Sequence, residues 1–117
     1  MSLNKSDLLA RCERRFRDVA LPDGGSVRIR SLTEFERSSL ELRMFDKSGK
    51  VSVAKLPEAK LRTLACCIVD DAGEPLFAEQ DWREIQALDS GIVAKIYSAC
   101  LEHIGFEDEE IEELAGN

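Results

Sequence analysis

The chain has 117 residues, of which 44% are hydrophobic and 33% charged, a composition typical of a globular protein rather than a disordered one. A formal net charge of −7 and an aromatic content of only 6% argue against a nucleic-acid-binding protein. Such a protein neutralises phosphates with Lys and Arg side chains and stacks nucleobases on aromatic rings. Residues 1–30 differ, with seven basic and four acidic side chains, and we interpret their arginines as the solvated face of a helix.

The first predicted elements are a helix and a β-hairpin. Ser6 is a suitable N-cap for a helix over residues 6–16, whose apolar positions recur at helical spacing at Leu8, Leu9, Cys12 and Phe16. The pattern then alternates on both sides of the segment Pro22-Asp23-Gly24-Gly25, which has the residues that a chain reversal needs. This predicts a hairpin over about 17–31, with Val19 and Leu21 on the same side as Val27 and Ile29.

Two helices are predicted next. Thr33 and Glu36 have the spacing of a capping box, and the helix over 33–45 is expected to bury Phe35, Leu42 and Phe45. Residues 46–55 are polar and contain a glycine, which predicts a mobile connection. Pro57 suits the first turn of a helix over 57–69 that places four apolar residues inward: Leu61, Leu64, Ala65 and Ile68.

The remaining chain predicts a turn over 70–75, a short extended segment at Leu76-Phe77, and a helix over 79–88. Ser90 is the expected cap of a helix over 90–104 that ends at Gly105, and an acidic helix is predicted over 107–115. The sequence therefore predicts a mainly α (α+β) fold, with one N-terminal hairpin packed on about five helices, in a single domain spanning residues 1–117.

Residues suited to catalysis or metal binding are few. Cys100 and His103 lie three positions apart on one predicted helix, but Cys100 belongs to its apolar stripe. The other cysteines lack the Cys-x-x-Cys spacing of zinc sites, and the cluster Asp70-Asp71-Ala72-Gly73-Glu74 does not follow the register of a calcium-binding loop. We therefore expect no enzymatic activity, no metal and no cofactor.

The cysteines and the hydropathy pattern indicate the cellular compartment in which the protein is expected. Cys12, Cys66, Cys67 and Cys100 all fall in predicted helices among aliphatic residues, where free thiols behave as small buried hydrophobic groups. A reducing cytoplasm is expected. The N-terminal residues lack a signal-peptide pattern, and no apolar run approaches the roughly 18 residues of a membrane span, so no contact with a membrane is expected.

Protein binding is the function that remains, and five apolar residues are its candidate contacts. Phe77 and Trp82 lie at a turn and a helix start, where they either meet a partner or fill the core. The acidic segment 107–114 has six carboxylates, and we interpret it either as a solvated helix or as a docking helix whose apolar residues are Phe106, Ile111 and Leu114.

The order of these segments resembles a known family. A hairpin leads into Arg30-Ser31-Leu32-Thr33-Glu34-Phe35-Glu36-Arg37, and a later helix leads into Val69-Asp70-Asp71-Ala72-Gly73-Glu74-Pro75-Leu76-Phe77. Two short helices, the first containing Asp81-Trp82, and an acidic tail follow. Over residues 16–115 this succession resembles the tail assembly chaperones of long-tailed bacteriophages, in the short form made without a translational frameshift.

The resemblance implies a mostly helical, non-enzymatic protein of the infected bacterial host's cytoplasm that is not part of the mature virion. Such chaperones coat the long helical tape-measure protein and help to recruit tail-tube subunits, and self-association is a further expectation. The alternative function is a small acidic adaptor or inhibitor that binds a single host or phage protein. A nucleic-acid-associated factor that uses Arg14 and Arg15 is a second alternative, which would bind in a salt-sensitive manner.

Overall fold

The computed structural model describes residues 1–105, and the predicted helix over 107–115 lies outside the described residues. The elements of the described part, in chain order, are α1 (Lys5–Leu9), β1 (Phe16–Ala20), β2 (Ser26–Arg30), α2 (Glu34–Leu42), α3 (Leu56–Cys67), β3 (Ile68–Val69), a 3₁₀ turn (Glu79–Asp81), α4 (Trp82–Ile85) and α5 (Ser90–Ile104). The predicted combination of an N-terminal hairpin with about five helices is therefore confirmed.

The sheet is antiparallel with the order β1-β2-β3, so the hairpin's second strand lies in the centre. Val19 pairs with Val27, and Ile29 pairs with Arg17 on one edge and with Ile68 on the other. Gly24 and Gly25 both have positive φ, at 98° and 76°, which explains why the turn needs glycines there. The hairpin was predicted; β3 was not, because two residues directly after a helix give no period-2 signal.

The core lies between the inner face of the sheet and helices α3 and α5. Its most deeply buried large side chains are contributed by several elements: Ile29, Leu64, Ile85, Tyr97 and Leu101. Leu61, Leu64, Ala65 and Ile68 are all buried, as the spacing within residues 57–69 predicts. Pro57 occupies the first turn of α3, where its missing N–H costs no helical hydrogen bond.

The predicted helix over 6–16 is wrong. The helix ends at Leu9, its N-cap is Asn4 rather than Ser6, and Asp7 completes a capping box with Asn4. None of its residues is buried, so the helix lacks the packing that would extend it. Phe16 instead begins β1, since an alternating segment paired to β2 gains a ladder of hydrogen bonds. Cys12 consequently lies exposed in the connection and not in a helix.

Smaller corrections concern the later helices. The segment 79–88 contains the 3₁₀ turn and the four-residue α4 rather than one continuous helix. The N-cap of α5 is Asp89, whose carboxylate accepts from the amides of Gly91 and Ile92, and not Ser90. Gly105 ends α5 in the left-handed conformation with φ 107°, as predicted. Residues 46–55 were expected to be a mobile connection; within them, residues 46–50 form a hydrogen-bonded turn in which the Asp46 N–H donates to the Lys50 carbonyl at 2.8 Å.

Glu36 joins the start of α2 to the hairpin. Its carboxylate completes the predicted capping box by accepting from the Thr33 amide at 2.8 Å, and it binds both terminal nitrogens of the Arg14 guanidinium. The Arg30 guanidinium lies 3.9 Å away on the other side. The hydrogen bond from Arg14 is the main cause that lowers the pKa of Glu36 to about 2 from an ordinary 4.5.

Replacing Glu36 with Gln is expected to lower the free energy of unfolding by about 1–2 kcal/mol near neutral pH, after allowance for solvent screening of the pair. Because the folded pKa is depressed, this contribution is present above about pH 4.5 and is lost as the pH falls towards about 2. Urea denaturation of both proteins across that pH range measures the difference. Glu34→Gln, on the exposed first turn of the same helix, is the matched control. An equal loss in both variants would contradict the assigned role of Glu36.

Candidate protein-binding surface

The solvent-facing side of α2 is apolar. Phe35 and Leu42 are seven residues apart, which places them two turns apart on one helix face, and they are 81% and 72% exposed. Leu40 and Met44 are the side chains that this segment buries in the protein. The helix therefore carries two apolar faces, of which the fold covers one.

A small hairpin loop directly after α2 continues this apolar character. Phe45 and Val51 form an antiparallel bridge, and the Ser52 amide donates to the Met44 carbonyl at 2.8 Å. Both bridged side chains are exposed, as is Val53 at 80%. We refer to these five exposed residues together as the α2 surface: Phe35, Leu42, Phe45, Val51 and Val53.

Phe35 also forms one wall of a groove of about 600 Å³, open solvent included, between α2 and α3. Leu40 and Cys66 line it as well, and Glu79 from the 3₁₀ turn closes one end. The Glu79 carboxylate lies 3.2 Å from the Arg43 guanidinium and 3.3 Å from that of Arg62, so an ion-pair network borders the groove. An apolar surface beside a groove with a charged border is the arrangement of protein-binding sites.

The four cysteine thiols differ in their burial, and burial raises the pKa of two of them. Cys66, half-buried at the groove, has its pKa raised to about 11 mainly by desolvation. The pKa of Cys67 is raised well above its ordinary value by a hydrogen bond with Cys100 and by burial. Cys12 alone among the four is exposed.

One thiol per chain is therefore expected to react rapidly with Ellman's reagent at about pH 8, because a reactive cysteine must be both accessible and ionisable. The Cys12→Ser variant should lose this rapid phase, and the other three thiols should react fully only after denaturation. Rapid reaction of two or more thiols in the folded Cys12→Ser variant would contradict the burial described for residues 66, 67 and 100.

Two of the five candidate contact residues pack largely inward. Phe77 and Trp82 are half-buried and lie against the core. Two guanidinium groups also lie over the Trp82 ring, with Arg62 at 5.6 Å and Arg83 at 5.2 Å from its centroid. The structure does not bring Phe77 or Trp82 into the α2 surface. Phe106, Ile111 and Leu114 lie outside the described residues.

The sequence analysis predicted that Phe35, Leu42 and Phe45 are buried, and that prediction is wrong because all three side chains are exposed. The sequence nevertheless contains the pattern that distinguishes the two apolar faces of α2. At 100° per residue, Phe35 and Leu42 form one stripe, while Leu40 and Met44 form another on the opposite side. A nine-residue helix packed on one side buries only one of them.

The remaining chemistry-bearing residues make local contacts. Asp70 accepts from the amides of Ala72 and Glu74 and so stabilises its own turn. His103 is hydrogen-bonded through Nε2 to the Arg15 carbonyl at 3.0 Å, while Cys100 is buried. Within residues 1–105, no three side chains of His, Cys, Asp or Glu come together in a group suited to a metal ion.

Three arginines of the basic N-terminal segment are engaged within the protein. Arg14 binds Glu36, Arg15 donates to the His103 carbonyl at 2.8 Å, and Arg17 lies 3.2 Å from the Glu102 carboxylate. These contacts join β1 and the residue pair before it to α2 and α5. The interpretation of the arginines as the face of a first helix is wrong, since residues 11–15 are not helical.

In the part of the chain that the structure describes, no helix combines the length and the apolar character needed to cross a bilayer. Comparison of the chain with protein-family models, with curated proteins and with solved structures found no match.

Proposed function

We propose that this chain is a non-enzymatic tail assembly chaperone of a long-tailed bacteriophage, and that it binds helical segments of the tape-measure protein through the α2 surface. The resemblance in the order of its segments supplies the class of protein. The exposure of Phe35 and Leu42 supplies the surface. That exposure is the single observation that carries the proposal, because large apolar side chains standing together on a helix face favour association with another protein.

The shape and charge of the α2 surface suit an amphipathic helix. A partner helix laid beside α2 would place its apolar side chains on Phe35, Leu42 and Phe45, and the neighbouring groove would accept one larger side chain. The partner's remaining faces would stay in water. A chaperone of this kind covers the apolar stripe of a long helix until tail-tube subunits replace it, and the net charge of −7 limits aggregation in the meantime.

The proposal places the chain in the cytoplasm of the infected host, absent from the finished virion, and includes the recruitment of tail-tube protein and self-association. An affinity pull-down of the tagged protein from phage-producing cells, with identification of bound proteins by mass spectrometry, tests it. A long helix-rich protein of tape-measure type, with or without tail-tube protein, is the expected result. Recovery of one host enzyme would instead favour the adaptor or inhibitor, and recovery of nucleic acid lost at high salt would favour the nucleic-acid factor.

A further inference from the structure

The loop that follows α2 contributes Phe45, Val51 and Val53 to the α2 surface, and it is positively charged although the chain as a whole is acidic. Residues 43–55 contain four basic side chains, Arg43, Lys47, Lys50 and Lys55, and one acidic side chain, Asp46, for a local charge of +3. The Asp46 carboxylate is directed into its own turn, where it accepts from the amides of Ser48 and Lys50. Hydrogen bonds to the charged form lower its pKa, with the Ser48 hydroxyl as the largest cause. An occupant of the part of the surface that this loop forms should therefore be both apolar and acidic.

The described chain ends beside α2. Leu101 and Ile104, at the end of α5, line a small apolar notch together with Leu40 and Met44. Gly105 follows Ile104 directly, so segment 106–117 begins two positions after a residue that lines this notch.

Segment 106–117 has the chemistry that the surface requires. It contains six carboxylates, no basic side chain, and the apolar residues Phe106, Ile111 and Leu114. Twelve residues span about 18 Å as a helix and about 40 Å when extended, whereas the nine residues of α2 are about 13.5 Å long. The notch lies on the covered side of α2, opposite Phe35 and Leu42, so the segment has to cross the helix to reach them. Half the circumference of a helix about 10–12 Å across is about 17 Å, so an extended segment is long enough for that crossing and for reaching the basic loop.

We propose that segment 106–117 of the same chain docks on the α2 surface. Phe106 closes the notch, Ile111 and Leu114 cover part of the exposed apolar face, and the carboxylates face Lys47 and Lys50. Tethering favours the chain's own segment over that of a second copy, because a short link gives an effective concentration of about a millimolar. A weak contact is then sufficient for occupancy.

The docked segment would act as a built-in competitor for the partner helix, a consequence that rests on the proposed function. Substituting the six carboxylates with their amides is expected to strengthen partner binding several-fold, since the competitor loses its attraction for the basic loop. Docking itself requires no partner, so it can be tested independently of that function.

The test is a paramagnetic relaxation measurement on the full-length chain. A nitroxide is attached to Ala115→Cys in a Cys12→Ser background, in which the remaining native thiols are buried or half-buried. Selective broadening of the amide signals of residues 35–53 is expected. It should decrease in the Lys47→Glu/Lys50→Glu variant and at about 1 M salt, where the Debye length is about 3 Å.

Two results would overturn the proposal. One is the lack of selective broadening in residues 35–53. The other is broadening of the same size when spin-labelled chain without ¹⁵N is mixed with ¹⁵N-labelled chain that carries no nitroxide, because the occupant would then be a second copy. Failure of the pull-down leaves the docking intact, whereas failure of this experiment leaves the chaperone function intact.

Discussion

Changing both Phe35 and Leu42 to Asp is expected to weaken partner binding at least about 100-fold, which corresponds to about 2.8 kcal/mol. Both side chains stand on the open face of α2, so a partner helix would have to bury two carboxylates where it now meets apolar groups. The fold should persist, because neither side chain contributes to the core. Titration of the tape-measure-type protein recovered in the pull-down, with wild type and variant side by side, measures the loss.

The matched control is Leu76→Asp/Leu88→Asp. These two leucines are also exposed, at 57% and 44%, but lie outside the α2 surface, one beside β3 and the other after α4. The control carries the same added charge and should bind within about threefold of wild type, a change below about 0.7 kcal/mol. Equal affinity of wild type and the Phe35→Asp/Leu42→Asp variant would contradict the assignment of this surface. Equal losses of affinity in this variant and in the control would show an effect of charge alone.

The second large effect concerns stability. Leu64→Ala is expected to lower the free energy of unfolding by about 3–5 kcal/mol, because a fully buried leucine in the middle of α3 leaves a cavity that the surrounding core cannot fill. The total stability of a domain of this size is about 5–15 kcal/mol, so the variant should be largely unfolded at modest urea concentrations. Urea titration followed by circular dichroism and by Trp82 fluorescence measures the change.

Phe35→Ala is the informative comparison, because the two apolar residues have opposite environments. Phe35 is 81% exposed, and its truncation should change the free energy of unfolding by no more than about 0.5 kcal/mol. A loss above about 2 kcal/mol for Phe35→Ala would mean that this ring is packed in the folded protein. In that case the α2 surface would be part of the core.

The parts of the fold that sequence predicts well are those with local causes. Glycines with positive φ specify the turn between β1 and β2, Thr33 and Glu36 start α2 through side-chain hydrogen bonds, and Gly105 ends α5. Each of these depends on residues a few positions apart. The inward face of α3 is also predictable, since its apolar side chains recur at helical spacing.

The parts that sequence does not predict depend on partners distant in the chain. Residues 11–15 leave the helix because Arg14 binds Glu36 and Arg15 binds His103, contacts that span 22 and 88 positions. The same holds for α2, where local spacing reveals two apolar stripes and only tertiary packing determines which is covered. The candidate surface was therefore missed even though Phe35, Leu42 and Phe45 had been identified as apolar.

The most direct test of the α2 surface is hydrogen–deuterium exchange of the chain, alone and in complex with the tape-measure-type protein. A bound helix stabilises the amides beneath it, so slower exchange should be concentrated in residues 34–53. Residues of β1 and of the N-terminal half of α5 should exchange at unchanged rates. Protection concentrated around Phe77 and Trp82, with residues 34–53 unchanged, would contradict the central claim and place the partner on the other side of the Glu79 ion-pair network.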